Sequence, residues 1–126
     1  MKTDITTLDK IFSEYIRLRD SDEYGMIRCI SCGKRVKWKE SDAGHFISRR
    51  HQSARFCEYN VNAQCKQCNQ FESGNIEGYE RGLIAKHGRW VIELLENKKN
   101  EIQEYSDFEI ELKIGYFRKK VREMKK

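Results

Sequence analysis

The sequence predicts an α+β fold, in which helices at both ends of the chain flank a short centre that contains strands. Apolar residues recur at helical spacing near both ends of the 126-residue chain. Between them, residues 29–69 contain two Cys-x-x-Cys pairs and short segments with strand character. The length fits one domain. We divide residues 1–126 into an N-terminal helix (1–25), a cysteine-bearing core (26–74) and C-terminal helices (75–126).

The composition indicates a small hydrophobic core and a basic surface. Hydrophobic residues make up 38% of the chain and charged residues 36%, so a bound metal would help to stabilise the fold. The net charge of +5 favours polyanionic partners, nucleic acid first, although a solvated basic surface explains it equally well. The sequence shows neither an apolar run that could span a bilayer nor a signal peptide, which predicts a cytoplasmic protein without a membrane partner.

The first predicted element is an amphipathic helix over residues 4–20. Its apolar stripe consists of Ile5, Leu8, Ile11, Phe12, Tyr15 and Ile16. Residues 36–38 and 43–48 are predicted as two short strands, which we expect to pair as one hairpin. A helix is expected to start near Cys65, after a basic loop over residues 49–55.

Three further helices are predicted after residue 74. The first covers residues 75–87, with Gly88 as its C-terminal stop, and the second covers residues 90–99. Ser106 and Glu109 form a capping box that starts the third. A heptad-like apolar seam in that helix consists of Ile110, Ile114, Phe117, Val121 and Met124. So short a seam favours packing on a helix of the same chain, and a partner chain is the alternative.

The cysteines predict a structural zinc site. Four of the five form two pairs, Cys29 with Cys32 and Cys65 with Cys68. Without a secretory signal, such pairs indicate metal ligands rather than disulfides, and four thiolates complete the tetrahedral shell of zinc. Because such a zinc ion has no open position, we expect it to hold the fold and do no chemistry. Cys57 is left over and is interpreted as a small buried hydrophobic residue.

Polar residues near and between the pairs indicate phosphodiester chemistry. His45 lies in a predicted strand, and a neutral imidazole is able to activate water as a base. Asn69 directly follows the second pair, and its amide oxygen suits Mg²⁺ or Mn²⁺. Asn60 is expected to bond to backbone and to hold the hairpin that carries His45, and a plain turn residue is the alternative.

These residues carry a resemblance to known nucleases. A His on a hairpin, an Asn in the connection and an Asn at the helix resemble the HNH, or ββα-metal, pattern, and the surrounding zinc knuckle resembles phage junction-resolving endonucleases. Over about residues 8–97 the chain resembles the NinG (Rap) recombination proteins of lambdoid phages. The segments that carry this resemblance are Tyr15-Ile-Arg-Leu-Arg-Asp20, Cys29-Ile-Ser-Cys32-Gly33, Asp42-Ala-Gly-His45-Phe46, Arg55-Phe56, Asn60-Val61, Gln64-Cys65-Lys-Gln-Cys68-Asn69-Gln70, Ser73-Gly74-Asn75 and residues 79–88.

The resemblance implies a zinc-stapled ββα-metal (HNH) nuclease core, flanked by N- and C-terminal helices. It implies a structure-specific DNA endonuclease that acts on branched recombination intermediates, such as Holliday junctions and D-loops, in a bacterial host cell. The implied catalytic cofactor is Mg²⁺ or Mn²⁺, and phage or host recombination proteins are implied partners. By the family pattern His45 is the catalytic base, Asn69 a metal ligand and Asn60 the orienting residue.

The second ligand of the catalytic metal departs from the pattern. Many HNH nucleases place Asp or His immediately before the base, where this chain has Gly44. Asp42 is our first candidate. In a regular strand it faces the opposite side from His45, and a bulge at Gly44 could bring the two together. Glu72, about one helical turn after Asn69, is the other candidate.

Basic residues around the predicted site are candidate DNA contacts. We expect them to bind phosphates rather than bases, because recognition of a branch is recognition of shape. A solvated charged loop is the alternative. The candidates are Arg49, Arg50, His51, Arg55 and Lys37, together with Lys34, Arg35 and Lys39 on the same arm of the predicted hairpin as Lys37. Arg17 and Arg19 are weaker candidates, since the dipole at a helix C-terminus explains them as well.

Two other functions fit the same residues. One is a nonspecific or sequence-specific HNH DNA endonuclease, and the other is a zinc module that binds DNA without cutting it. Because cutting both strands of a junction needs two centres, a homodimer is plausible. The seam from Ile110 to Met124 is one candidate interface.

Overall fold

The computed structural model describes residues 5–125 and confirms the α+β class. The helices are α1 (Ile5–Arg19), α2 (Gln52–Arg55), α3 (Ile76–His87), α4 (Trp90–Lys99) and α5 (Asp107–Met124), and the strands are β1 (Met26–Arg28), β2 (Arg35–Lys37), β3 (Ser41–His45) and β4 (Val61–Cys65). A 3₁₀ turn covers Trp38–Glu40, and a π-helical turn covers Gln67–Phe71. None of the helices within this described part is long and apolar enough to cross a membrane.

The predicted pairing of the two strands is wrong. β2 pairs with β1, where Ile27 lies opposite Val36, while β3 pairs with β4, where Ala43 lies opposite Ala63. Both pairs are antiparallel. The 3₁₀ turn separates β2 from β3 and sends them into different sheets. The prediction also missed β4, although apolar and polar residues alternate along its five positions, all of which are buried.

The C-terminal helices agree with the prediction. α3 has Asn75 as its N-cap, whose side chain accepts a hydrogen bond from the Gly78 amide, and it ends at Gly88, where φ is +105°. The bounds of α4 are those predicted. Ser106 and Glu109 form the expected capping box of α5.

The seam of α5 packs on α1 of the same chain. Phe117 contacts the rings of Phe12 and Tyr15, with centroid distances of 5.0 Å in both cases. Ile110 and Val121 belong to the same buried cluster. The interpretation as intramolecular packing is therefore confirmed for Ile110, Phe117 and Val121, whereas Met124 at the end of the seam is exposed.

A second buried cluster joins α3 and α4 to the β3–β4 hairpin. It consists of Ile47, Ala54, Tyr79, Leu83, Val91 and Leu95. The hydroxyl group of Tyr79 donates a hydrogen bond of 2.6 Å to the Gly44 carbonyl of β3. α3 thereby fixes the strand at the position directly before His45.

The middle of β4 is hydrogen-bonded to the segment that carries the first cysteine pair. The amide of Ile30 donates to the Ala63 carbonyl over 3.1 Å, while the Ala63 amide donates to the carboxylate of Asp20 over 2.8 Å. A Cβ atom on Gly82 of α3 would lie 1.9 Å from the Ile30 carbonyl oxygen, so only glycine permits this close approach. The turn between β1 and β2, which carries Cys29 and Cys32, is therefore held beside the strand that ends in Cys65.

Candidate functional site

The four paired cysteines converge on one point. Their Sγ atoms all lie within 4.8 Å of one another, and the Sγ atoms of Cys32 and Cys65 are 3.8 Å apart. Zn–S bonds of about 2.3 Å in a tetrahedron place the sulfur atoms about 3.8 Å apart, so the cluster fits a structural zinc ion. Cys57 is separate from this cluster and packs, half-buried, against the second hydrophobic cluster.

A polar cleft of about 790 Å³ lies next to the cysteine cluster. α1, β3, the residues that follow β3 and the π-helical turn all contribute to its walls. His45, Asp42 and Asn69 all line it. The structure therefore brings together three of the residues that the sequence singled out, and we call this space the His45 cleft.

The hydrogen bond of the His45 ring defines its proton arrangement. Nε2 lies 3.0 Å from the Arg55 carbonyl oxygen. A carbonyl only accepts, so Nε2 carries the proton and Nδ1 is the acceptor nitrogen of the neutral ring. Burial lowers the pKa of His45 below its ordinary value, the bond to Arg55 opposes this, and the positive charge of Arg49 lowers the pKa further. The ring is therefore neutral at pH 7.

Asn60 holds the loop between β3 and β4 and is fully buried. Its Oδ1 accepts a hydrogen bond from the Ile47 amide over 2.7 Å, and its Nδ2 donates to the carbonyls of Ile47 and Ala54, each over 3.0 Å. Ala54 precedes Arg55, whose carbonyl orients His45. Asn60 is therefore placed to position His45 through the loop and does not line the cleft.

Asp42 and Asn69 are in direct contact. Nδ2 of Asn69 donates to Oδ2 of Asp42 over 2.9 Å. Gln70 donates to the same oxygen over 2.8 Å, and Lys66 donates to Oδ1 over 2.7 Å. Burial raises the pKa of Asp42, but these three donors outweigh burial and hold the pKa below its usual range. Glu72 is exposed and does not line the cleft.

The suggestion of a bulge at Gly44 is wrong. β3 and β4 stay in regular register from Ser41 to His45. Asp42 shares a strand face with Gly44, and the turn that carries Asn69 packs on this face, so Asp42 reaches Asn69 without a bulge. His45 is the last residue of β3, and the cleft continues around the strand end to include it.

The absence of a side chain at Gly44 lets Asn69 approach β3 closely. A Cβ atom built on Gly44 would lie 3.3 Å from Oδ1 of Asn69. Because Nδ2 of Asn69 is turned to the Asp42 carboxylate, Oδ1 is turned to Gly44. Oδ1 has no hydrogen-bond donor among residues 5–125. A donor-free amide oxygen beside a carboxylate fits a hard divalent cation such as Mg²⁺.

The predicted DNA contacts divide into two groups. Arg49 lines the cleft, and its side chain is 63% exposed. Arg50, His51 and Lys37 lie outside the cleft lining. Arg55 contributes its carbonyl to His45, while its guanidinium pairs with Asp9 of α1, with one contact of 3.0 Å between Nε and Oδ1 and a second, shorter one through Nη2. That pairing leaves Arg55 poorly placed to bind phosphate.

Three cations of the cleft come from other elements. Arg17 and Lys39 flank the ring of Trp38, at 5.5 and 5.6 Å from its centroid, and Lys66 follows β4. Arg17 was only a weak candidate in the sequence, Lys39 was expected beside Lys37, and Lys66 was missed. The available signal for Lys66 was its position inside the second cysteine pair, which carries it next to Asn69. Arg19 instead binds the carbonyls of residues 58 and 61 and serves the fold.

Comparison with known proteins supports the resemblance to NinG proteins. Residues 2–126 match the family model described as "Bacteriophage Lambda NinG protein". Protein ninG of Escherichia phage lambda is 37% identical over 89 residues, which cover 68% of this chain and 40% of that protein. Protein ninG of Salmonella phage P22 is 37% identical over 86 residues, which cover 66% of this chain and 39% of that protein.

This chain spans about two fifths of the length of these relatives. No solved structure matches it. The family model, however, extends over nearly every residue, including the cysteine pairs, His45 and Asn69. The chain therefore belongs to the family of the bacteriophage lambda NinG protein.

Proposed function

We propose that the protein is a divalent-cation-dependent DNA endonuclease that acts on branched recombination intermediates. The observation that carries the proposal is the His45 cleft, where a neutral imidazole, an Asp–Asn pair and four cationic side chains share one space. The order of the elements supports an HNH interpretation, because β3, β4 and the helical turn follow one another as in a ββα unit. His45 ends the first strand, Asn60 precedes the second, and Asn69 lies in the turn.

His45 is the proposed base. With its proton on Nε2 and that proton bonded to the Arg55 carbonyl, Nδ1 is available to take a proton from water. The water oxygen then forms a bond to phosphorus, the bond from phosphorus to the 3′ oxygen breaks, and that oxygen takes up a proton from solvent water. The products are a 3′-hydroxyl and a 5′-phosphate.

Asn69 and Asp42 are the proposed ligands of the catalytic cation. When bound, Mg²⁺ or Mn²⁺ supplies a positive charge that polarises the phosphodiester and stabilises the leaving oxygen. Asn69 offers the donor-free Oδ1, and the bond between its Nδ2 and Asp42 keeps the amide in that orientation. Lys66 forms an ion pair with Asp42. A bound cation would replace Lys66 as the positive partner of Asp42, and a bound phosphate would replace Asp42 as the negative partner of Lys66.

The cations of the cleft are the proposed phosphate contacts. Arg17, Lys39, Arg49 and Lys66 line it from four separate parts of the chain. Contacts of this kind hold the DNA backbone without reading bases, and binding should weaken steeply as the salt concentration rises. The choice of branched DNA as the substrate rests on the resemblance to NinG (Rap) proteins.

A panel of DNA substrates tests the choice of substrate. Plain duplex, flap, D-loop and four-way junction, each end-labelled and of equal length, are incubated with the protein and Mg²⁺. We expect cleavage of at least one branched substrate to be ten or more times faster than cleavage of duplex. Equal rates on duplex and branched DNA would favour a nonspecific HNH endonuclease. Binding of all four without cutting would favour a zinc module that only binds DNA.

A further inference from the structure

Gln64 of β4 lies beside Gly44, in the space that a side chain at position 44 would need. A Cβ atom on Gly44 would lie only 1.9 Å from Oε1 of Gln64 and 3.3 Å from Oδ1 of Asn69. Gln64 is 1% exposed and is paired with Asp42 across the β3–β4 ladder. Two amide oxygens, from different elements, therefore face the one position in β3 that lacks a side chain.

The hydrogen bonds of Gln64 fix the direction of its amide. Its Nε2 donates to the Gly74 carbonyl over 2.6 Å and to the Ser31 hydroxyl over 2.9 Å. A carbonyl oxygen only accepts, so the NH₂ group must face Gly74 and Oε1 must face Gly44. Asn69 is oriented by the same logic, because its NH₂ group faces the Asp42 carboxylate.

Neither of the two oxygens accepts a hydrogen bond from the described part of the protein. Within residues 5–125 no donor reaches Oε1 of Gln64 or Oδ1 of Asn69. Two acceptors directed at the same small region, next to a carboxylate, repel one another, and a positive partner would offset this repulsion. A hard divalent cation, which binds carboxylate and amide oxygens, meets this need.

We propose that Gln64 is a ligand of the catalytic cation, through Oε1. This inference rests on the proposed function. The adjacent strand β4 would then supply a ligand beside Gly44, the position where β3 has no side chain of its own. Gly44 is required by this arrangement, since any larger side chain would displace Oε1 of Gln64.

The competing explanation is that Gln64 only ties β4 to Ser31 and Gly74. Two substitutions separate these roles. Gln64→Met and Gln64→Glu both remove the NH₂ donor and both keep the length of the side chain, but only Gln64→Glu retains an oxygen that is able to bind a cation. A purely structural role predicts similar losses in both variants, whereas a ligand role predicts a loss in Gln64→Met alone.

The test measures Mn²⁺ binding to the zinc-loaded protein by the electron paramagnetic resonance signal of free Mn²⁺, with zinc content measured in every sample. Asn69→Ala identifies binding at the cleft. Gln67→Met is the matched control, because Gln67 is an exposed glutamine next to the same cysteine pair. We expect Gln64→Met to weaken Mn²⁺ binding at least tenfold, and Gln64→Glu and Gln67→Met to stay within threefold of wild type.

The outcomes distinguish this inference from the proposed function. If Asn69→Ala abolishes binding while Gln64→Met binds as wild type does, or if both Gln64 variants lose binding equally with zinc retained, the role of Gln64 is overturned and the cation site stands. If wild type binds no Mn²⁺, or Asn69→Ala changes nothing, the proposed metal-dependent function fails and the inference fails with it.

A crystal structure of the wild-type protein with Mn²⁺ decides the matter should the Gln64 variants lose zinc. We expect an anomalous peak within about 2.5 Å of both Oε1 of Gln64 and Oδ1 of Asn69, the range of metal–oxygen bonds. A peak bonded to Asn69 but clearly farther from Gln64 would overturn the assignment of Gln64 alone.

Discussion

At the scale of single residues, the chemistry depends on how His45 is oriented and which charges surround it. The Arg55 carbonyl holds the proton on Nε2, and Asn60 holds the loop that delivers this carbonyl. Burial lowers the pKa of the ring, and the charge of Arg49 lowers it further. A base acts in its unprotonated form, so the lowered pKa extends activity towards lower pH.

Replacing Arg49 should change the pH dependence of cleavage. Arg49→Gln removes a positive charge that lowers the pKa of His45, so the pKa rises and the acid limb of the kcat/KM profile moves to higher pH. Arg50→Gln removes an equal charge outside the cleft lining and should leave the midpoint of that limb in place. The profile is measured on one DNA substrate from pH 5 to 9. An unchanged midpoint in Arg49→Gln would argue against His45 as the titrating base.

Asn60 should matter more for stability than its size suggests. Asn60→Ala leaves the amide and carbonyl of Ile47 without their partner and removes one of the donors to the Ala54 carbonyl, which keeps its bond from the Cys57 amide. The change should cost about 3 kcal/mol in the free energy of unfolding. Asn100→Ala removes an exposed amide and should change this free energy by less than about 0.5 kcal/mol. Urea denaturation of both variants provides the comparison. Equal small losses would mean that Asn60 does not hold the loop.

Much of the candidate site was predictable at this scale, and there is a physical reason why its other residues were not. His45, Asp42 and Asn69 follow from residue type and spacing relative to the cysteine pairs, and the structure places them together. Arg17 enters the cleft only because α1 packs beside β3, which local sequence does not encode. From the sequence alone, Gln64 is an ordinary polar residue. Its proposed role is recognised only from its position beside Gly44 in the structure.

At the scale of elements, the packing of α5 on α1 supports one wall of the His45 cleft. α1 contributes Asp9, Phe12, Ser13 and Arg17 to this wall, and the seam of α5 covers its other side. Phe12 belongs to both, because it lines the cleft and also packs on Phe117. The position of the cleft wall therefore depends on the apolar contact between the two terminal helices.

Phe117 should be a major contributor to this contact. Phe117→Ala removes a buried ring that packs on two rings of α1 and should lower the free energy of unfolding by about 3 to 5 kcal/mol. Phe108→Ala, on the same helix but 70% exposed, should change it by less than about 0.5 kcal/mol. Thermal or urea unfolding followed by circular dichroism measures both. Comparable losses in the two variants would contradict intramolecular packing of the seam.

The helices were predictable from sequence, whereas the strands were not. α3, α4 and α5 carry caps and helical periodicity, both of which are local signals. β1 to β4 contain only three to five residues each, and their pairing depends on contacts between distant parts of the chain. β4 does alternate apolar and polar residues, but five residues are a weak signal, and the burial of Asn62 and Gln64 depends on distant contacts.

At the scale of the whole molecule, the cysteine cluster joins two sheets that share no strand. Cys29 and Cys32 lie in the turn between β1 and β2, while Cys65 ends β4 and Cys68 lies in the turn that carries Asn69. Bound zinc would fix the turn carrying Asn69 relative to the rest of the fold. Structural zinc and the proposed catalytic centre are therefore coupled through a few residues of chain.

Removing a zinc ligand should unfold the protein rather than only slow it. Cys68→Ser should lose zinc and its cooperative thermal transition, because such a small core depends on the metal. Cys57→Ser, which changes the cysteine outside the cluster, should retain about one zinc per chain and a cooperative transition. Metal analysis and calorimetry measure both properties. A folded Cys68→Ser protein without zinc would contradict a structural role for the metal.

The most direct test of a metal-dependent nuclease centre at His45 compares wild type with His45→Ala on a four-way junction. Cleavage with Mg²⁺ or Mn²⁺ and junction binding are measured in parallel, with zinc content as the check on folding. Wild type should cut, and His45→Ala should cut at least about 10²-fold more slowly. His45→Ala should bind the junction within threefold of wild type and retain its zinc. Cleavage by His45→Ala at the wild-type rate would contradict the assignment of the base, and binding without cleavage by both proteins would contradict the proposed enzyme.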